Sequence, residues 1–245
     1  MRIFFLGTNG WYDTDTGNTI CTLIDADQYY IILDAGNGIY KADKYISRDK
    51  PVYLFLSHFH LDHIEGLHVL TKFRFKKLTI IGQPGTKKTI NAFLDKKFSV
   101  PLSKLTYDCK AIDVNEGWHD EPFRFQCLKL KHVTKCFGFR FEIEGKAISY
   151  CTDTGYCDNA VKLSKNTDLL ISECAFLGKP DPFWPHLNPE LAAKLAREAN
   201  VKKLVLTHFD ANEYLTMRQR EQAESRSRKI FKRTTAAVDG TLIKI

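Results

Sequence analysis

The chain has 245 residues, 44% of them apolar, with 36 Lys and Arg against 29 Asp and Glu for a net charge of +7. That length suits one large domain spanning 1–245, the composition excludes disordered and fibrous classes, and no run approaches the about 18 apolar residues that a membrane-spanning helix needs. The opening Met1-Arg2-Ile3-Phe4-Phe5-Leu6-Gly7 is too short for a secretion signal, and the seven Cys form no Cys-x-x-Cys pair, so the expectation is a cytoplasmic protein without a disulfide framework or thiolate cluster.

In chain order, strand character appears at 2–6, 19–25, 29–34, 52–57, 78–81, 111–114, 123–129, 137–143, 147–151, 169–172, 203–207 and 241–245. These runs are rich in Ile, Val, Phe and Tyr and bounded by Gly, Asp or Asn. Several, such as Val52-Tyr53-Leu54-Phe55-Leu56, are apolar without alternation, which predicts strands buried on both faces beneath helices. Helical stretches fall between them at 37–47, 62–73, 85–97, 154–164, 189–200 and 212–231. In the clearest, Asn188 is an N-cap, Pro189 takes the first helical position, and Leu191, Leu195 and Ala199 share a face. The pattern is a mixed α/β chain in which strands outnumber helices.

The chemistry concentrates in Ser57-His58-Phe59-His60-Leu61-Asp62-His63, a His-x-His-x-Asp-His motif directly after an apolar strand and before a helix. Residues two apart in extended chain point to the same side, so His58 and His60 can converge on one metal ion. Asp62 and His63 sit where the chain turns into the helix and can aim at a neighbouring ion. A pair of metals needs further ligands at other strand ends. His132 follows a strand over 125–131, Asp153 follows the strand at 147–151, and His208 follows the strand at 203–207, all where loops leave a sheet edge. His68 is spaced badly for a shared helical face with His63, and His119 lies in the polar loop Glu116-Gly117-Trp118-His119-Asp120, so neither reads as a ligand.

With His58/His60/Asp62/His63, His132, Asp153 and His208 in this order, the sequence resembles the metallo-β-lactamase superfamily. The resemblance implies a four-layer αββα sandwich of two mixed sheets with its site at one edge. It also implies that His58, His60 and His132 hold one divalent ion, that Asp62, His63 and His208 hold a second, and that Asp153 bridges them. Zinc suits such a His/Asp set, and manganese or iron accepts the same ligands.

Phe5-Leu6-Gly7-Thr8, Leu206-Thr207-His208-Phe209 and His186 are most similar to the ribonuclease Z and phosphodiesterase branch. That branch usually carries His-Glu-Ala-Thr where this chain has Ser172-Glu173-Cys174-Ala175, so only the Glu is kept. By resemblance Glu173 and His186 form a pair near the scissile phosphate, His186 contacting phosphate oxygen or protonating the leaving group, while Asp62 acts as general base. Ribonuclease Z has a long Gly-rich exosite arm between the positions of His132 and Asp153. Here those residues are 153 − 132 = 21 apart, and a hairpin turned at Glu144-Gly145-Lys146 fills the interval.

The expected activity is therefore dinuclear metal-dependent hydrolysis of a phosphodiester in a nucleotide, cyclic nucleotide or short nucleic acid. A carboxylic ester or lactone hydrolase using the same metals is the alternative within enzymes, and a metal-stabilised nucleic-acid-binding protein the alternative outside them. Trp11, Tyr12, Phe183 and Trp184 lie in Gly/Pro/Asp-rich loops, where aromatics either stack on a base or pin the loops. Basic clusters at 72–77 and 218–233 could both track a nucleic-acid backbone, but the second reads better as a solvated helical face because Glu221 and Glu224 interrupt it. No membrane partner is expected, and a homodimer is admitted.

Overall fold

The computed structural model describes residues 1–245. In chain order the elements are β1 (Arg2–Gly7), β2 (Asn9–Gly10), β3 (Cys21–Asp25), β4 (Tyr30–Leu33), β5 (Val52–Leu56), α1 (Leu61–Ile64), β6 (Lys77–Gly82), α2 (Thr86–Phe93), β7 (Asp108–Asp113) and β8 (Gly117–His119). They continue with β9 (Phe125–Lys129), β10 (Phe137–Ile143), β11 (Lys146–Cys151), α3 (Asp158–Ser164), β12 (Leu169–Glu173), α4 (Pro189–Glu198), β13 (Leu204–Thr207), β14 (Phe209–Asp210), α5 (Met217–Arg228), β15 (Thr234–Ala236) and β16 (Leu242–Lys244).

The apolar runs assemble into two seven-stranded sheets, ordered β16-β1-β3-β4-β5-β6-β7 and β15-β13-β12-β11-β10-β9-β8. Each is mixed. In the first, β4 through β7 are parallel and the β16-β1-β3-β4 side is antiparallel. In the second, β11, β12, β13 and β15 are parallel and β8 through β11 antiparallel. The strands buried along their whole length, β3 and β4 in the first sheet and β12 and β13 in the second, have both faces covered.

Three apolar layers separate the elements. Between the sheets, Phe55 of β5 meets Phe125, Phe139 and Phe141 edge-on at centroid distances of 5.0, 5.3 and 4.9 Å. Such pairs add about 0.5–1.5 kcal/mol each beyond the area they bury. Outside the first sheet, Leu54, Leu56 and Ile80 pack against Ile39, Leu67, Leu70 and Ile90. Outside the second, Leu170, Leu204 and Leu206 pack against Leu163, Leu195, Ala196 and Ala223. This is the expected αββα sandwich. All seven Cys are free thiols, and no helix is long and apolar enough to cross a membrane.

Several elements differ from the sequence expectation. The stretch 37–47 is a 3-10 segment over Asn37–Lys44, and 62–73 is one α-turn followed by a 3-10 segment over Glu65–Lys72. The two segments press together where Gly66 N donates to Ala35 O at 2.8 Å, and a Cβ at Gly66 would collide with the Gly36 carbonyl. Close backbone packing, not helix propensity, sets their geometry. The helix expected over 154–164 starts only at Asp158, because Gly155 N is bonded to Lys131 O at 2.8 Å. The last helix is trimmed to Met217–Arg228 by a capping box of Thr216 and Gln219. His119 belongs to strand β8, not a loop, and stacks on Phe125 at 4.7 Å. The interval between His132 and Asp153 is the β10–β11 hairpin, paired from Phe139↔Tyr150 to Ile143↔Lys146.

Candidate metal centre

Strand ends from both sheets meet at one edge. From the first sheet, β5 delivers His58 and His60 in extended chain, His60 at φ −62° and ψ 149°, before α1 presents Asp62 and His63. From the second sheet come His132 after β9, Asp153 after β11 and His208 after β13. Asp153 and His208 hold positive φ values of 52° and 53°, a conformation uncommon outside glycine and one that clusters at functional sites. Gly10 makes the approach of His208 feasible, since a Cβ there would lie 2.5 Å from His208 Cε1.

The side chains converge through their ring nitrogens and carboxylate oxygens. Asp153 Oδ2 lies 3.0 Å from His58 Nε2, 3.1 Å from His63 Nε2 and 4.0 Å from His132 Nε2. Its Oδ1 lies 3.0 Å from His208 Nε2. His132 Nε2 is 3.4 Å from His60 Nδ1, and Asp62 Oδ2 is 3.2 Å from His208 Nε2 and 3.6 Å from His63 Nε2. Ligand atoms about 2.0–2.1 Å from a shared tetrahedral ion stand about 3.3 Å apart. His58, His60, His132 and Asp153 could thus hold one ion, and Asp62, His63 and His208 a second. The fit has independent support in buried polar atoms that lack any hydrogen-bond partner, among them His58 Nε2 and Asp153 Oδ1.

Protonation divides the ligand set, with burial opposed at His63 and His208 by neighbouring carboxylates that raise both above their ordinary range. Burial keeps the His58, His60 and His132 imidazoles below their ordinary range, His132 down to about 3, so their lone pairs are free at neutral pH. Burial would raise the Asp62 and Asp153 carboxyls, but the surrounding imidazoles, His63 for Asp62 and His208 foremost for Asp153, hold both below the usual carboxylate range.

An outer ring fixes these groups. Asp34 Oδ2 accepts from His63 Nδ1 at 2.8 Å, Tyr150 Oη at 2.7 Å and Ser57 Oγ at 2.9 Å, and Asp34 Oδ1 accepts from Ser57 N at 2.8 Å. Burial would lower the His63 imidazole, but Asp153, Asp34 and Asp62 around it raise it well above its ordinary value, so an ion at Nε2 would take the place of a proton while Nδ1 goes on donating to Asp34. Trp11 N donates to Asp62 Oδ2 at 2.8 Å. Glu173, at the end of β12, takes the Thr154 N–H at 2.6 Å and His186 Nδ1 at 2.7 Å on Oε1, and the N–H groups of Ala175 and Leu187 at 3.1 Å on Oε2. Burial would lower His186, but the Glu173 carboxylate raises it to about 9, so the ring carries a proton at neutral pH. The His186 ring lies 5.3 Å from His132 and nearly parallel to His208 at 6.0 Å.

All seven strand-end residues are therefore brought together, with Glu173 and His186 beside them. His68 is outside, exposed and bonded through Nδ1 to Glu65 O at 2.6 Å, and His119 is bonded to Asn115 O at 2.8 Å. Of the loop aromatics, Trp11 and Trp184 line the cavity above the cluster, Tyr12 bonds Asn212 at the rim at 2.8 Å, and Phe183 points into solvent. Sequence reasoning missed Asp34, Gly10, Asp210 and Asn212. Asp34 carried the one usable signal, an Asp ending an apolar strand like Asp153.

Among known proteins, the Probable metallo-hydrolase YhfI of Bacillus subtilis is 28% identical over 226 residues, covering 85% of this chain and 87% of that protein. Its crystal structure superposes with a TM-score of 0.80 over 99% of this chain and 98% of that one. Ribonuclease Z of Cyanothece sp. is 26% identical over 276 aligned positions, covering 85% of this chain and 84% of its own. The short form of human tRNase Z shares the fold at a TM-score of 0.75, with 22% identity, over 100% of this chain and 99% of that one. Residues 29–209 match the model of the Beta-lactamase superfamily domain, a span that takes in β4 through β13 and every strand end described above, and the chain belongs to the β-lactamase superfamily.

Proposed function

We propose that the protein is a metal-dependent hydrolase of phosphodiesters, holding two divalent ions on His58, His60, His132, Asp62, His63 and His208 with Asp153 between them. Zinc is the first candidate ion, with manganese and iron next. The observation that carries the reading is the buried Glu173–His186 pair, bonded at 2.7 Å and opening onto the cavity above the cluster. A neutral ester or lactone needs no second cation beside the ligands, whereas a phosphodiester presents an anionic oxygen and a poor leaving group.

Divalent ions, when bound, supply Lewis acidity toward phosphate oxygen and water. The residues do the rest. Asp62, ionised and anchored by Trp11 N, orients the attacking water. With His186 Nδ1 bound to Glu173, His186 Nε2 is left for the cavity, where it bonds a phosphate oxygen or protonates the departing alkoxide. Likeness to ribonuclease Z supports a phosphodiester substrate, while the hairpin between His132 and Asp153 leaves no exosite arm for docking a large RNA.

The test compares bis(p-nitrophenyl) phosphate, p-nitrophenyl acetate and a simple lactone on protein of quantified metal content. Phosphodiester turnover is expected, abolished in Asp62→Ala. In His186→Ala, kcat should fall about 10²–10⁴-fold on a diester with a poor leaving group while metal content is retained. Turnover of the ester or lactone alone overturns the reading, and salt-dependent RNA affinity without turnover of any substrate points to the binding-protein alternative.

A further inference from the structure

Two tryptophans stand at the mouth of the cavity and hold none of the clustered groups through their rings. Trp11 follows β2, and Trp184 lies on the loop between β12 and α4, with ring centroids 6.4 Å apart and planes at 77°. Trp184 is also parallel to His60 within 4° at 6.2 Å. Both rings stay in solvent, Trp11 at 55% and Trp184 at 39% exposure, where side chains of this size are normally packed away. Trp11 further holds a φ of +79°, a strained conformation for a bulky residue, maintained by its bond to Asp62. A bulky ring kept exposed on a strained backbone beside the reacting groups is placed for contact with a ligand.

The remaining lining narrows what that ligand is. The cavity measures about 330 Å³, near the lower end of small-molecule sites, which run to about 1,000 Å³. No Lys or Arg lines it, and Asp210 stands on its rim, bonded to Asn212 N at 2.7 Å. A polynucleotide needs cations along successive phosphates, and the mouth offers a carboxylate instead. An aromatic face, by contrast, accepts any base.

We propose that Trp11 and Trp184 form an aromatic clamp that selects a planar group of nucleobase size beside a single phosphodiester, making the substrate a small nucleotide and not a polynucleotide. This rests on the phosphodiesterase reading. The test reads binding as well as turnover. Trp118, the third tryptophan, lies on β8 beneath the Arg124 guanidinium, so Trp118→Phe leaves the clamp as the only source of tryptophan emission. The metal-loaded protein is titrated with adenosine 5′-monophosphate, phenyl phosphate, ribose 5-phosphate and a short oligoadenylate.

Saturable quenching by the nucleotide is expected, with ribose 5-phosphate competing at least about ten-fold more weakly, as loss of one stacked base implies. Trp184→Leu should abolish the quenching and raise KM about ten-fold with kcat little changed, and Trp184→Phe should restore most of the affinity. Ribose 5-phosphate binding as tightly as the nucleotide overturns the clamp, as does an unchanged KM in Trp184→Leu. Quenching by phenyl phosphate but not by the nucleotide overturns the nucleobase assignment. Tighter, steeply salt-dependent binding of the oligoadenylate overturns the restriction to small nucleotides. Base-dependent quenching without any phosphodiester turnover would sink the phosphodiesterase reading and leave the clamp standing, and turnover without quenching would do the reverse.

Discussion

The Tyr150 hydroxyl, on β11 of the second sheet, donates at 2.7 Å to Asp34, the residue that follows β4 of the first. Across that contact one buried carboxylate links the two sheets and orients His63 from behind. Tyr150→Phe removes one donor to a charged, buried acceptor and should cost about 1–3 kcal/mol in a denaturant titration. Asp34→Asn keeps the shape but weakens the hold on the His63 tautomer, and should lower divalent-ion affinity about 10–100-fold in a chelator competition. Unchanged affinity would detach Asp34 from the site.

Gly10→Ala should damage the site without unfolding the protein. The new methyl would stand 2.5 Å from His208 Cε1 and 2.8 Å from its Nε2, so the ring must move away from Asp62 and Asp153. Activity and the second ion should be lost together, while the melting temperature measured without metal stays nearly unchanged. Gly178→Ala is the control, since nothing lies within 4 Å of its added carbon. Equal behaviour of the two variants would mean that His208 can shift without consequence.

Asp153→Ala takes away the carboxylate that faces His58, His63 and His208. Metal per chain, measured by elemental analysis after dialysis, should fall from two to one or fewer, with turnover lost. Two ions retained at full rate would contradict the assignment.

The α4–α5 contact should give a small pH-dependent stability. Glu190 accepts from Arg226 through both oxygens, at 2.8 and 2.7 Å, and although burial would raise its carboxyl, the Arg226 bond holds it below the ordinary 4.5. A lowered carboxyl contributes stability that is fully present above about pH 4.5 and is lost as the pH falls through the folded value. The pair is 34% and 40% exposed, so the contribution is about 0.2–1 kcal/mol. Denaturant midpoints of wild type and Glu190→Gln should differ at pH 7 and converge toward pH 3. A constant difference would assign the effect to packing.

What was legible in the sequence was what spacing alone determines. The His-x-His-x-Asp-His run carries its geometry within six residues, and His132, Asp153 and His208 each follow an apolar run that could be read as a strand. Asn188 and Pro189 likewise marked a helix start that the structure keeps, with Asn188 Oδ1 accepting from Leu191 N at 2.9 Å. The rest depends on contacts between distant segments. Asp34 reads only as the last residue of a strand until Tyr150 and His63 are seen on it, and Gly10 carries no signal until His208 stands over it. Asn37–Lys44 and Glu65–Lys72 have helical periodicity, but their close packing tightens them to 3-10 geometry.

The seven clustered side chains divide between the two sheets, four from the end of β5 and the α1 turn that follows it and three from the ends of β9, β11 and β13. An ion seated among them is therefore a clasp across the sandwich as well as a reagent. Whatever binds the folded cluster and not the open chain adds stability as the logarithm of its concentration, about 4 kcal/mol at a thousand times the dissociation constant. The melting temperature of this protein should then track the free divalent-ion level around it, so that a cell short of metal would lose folded enzyme as well as catalytic rate.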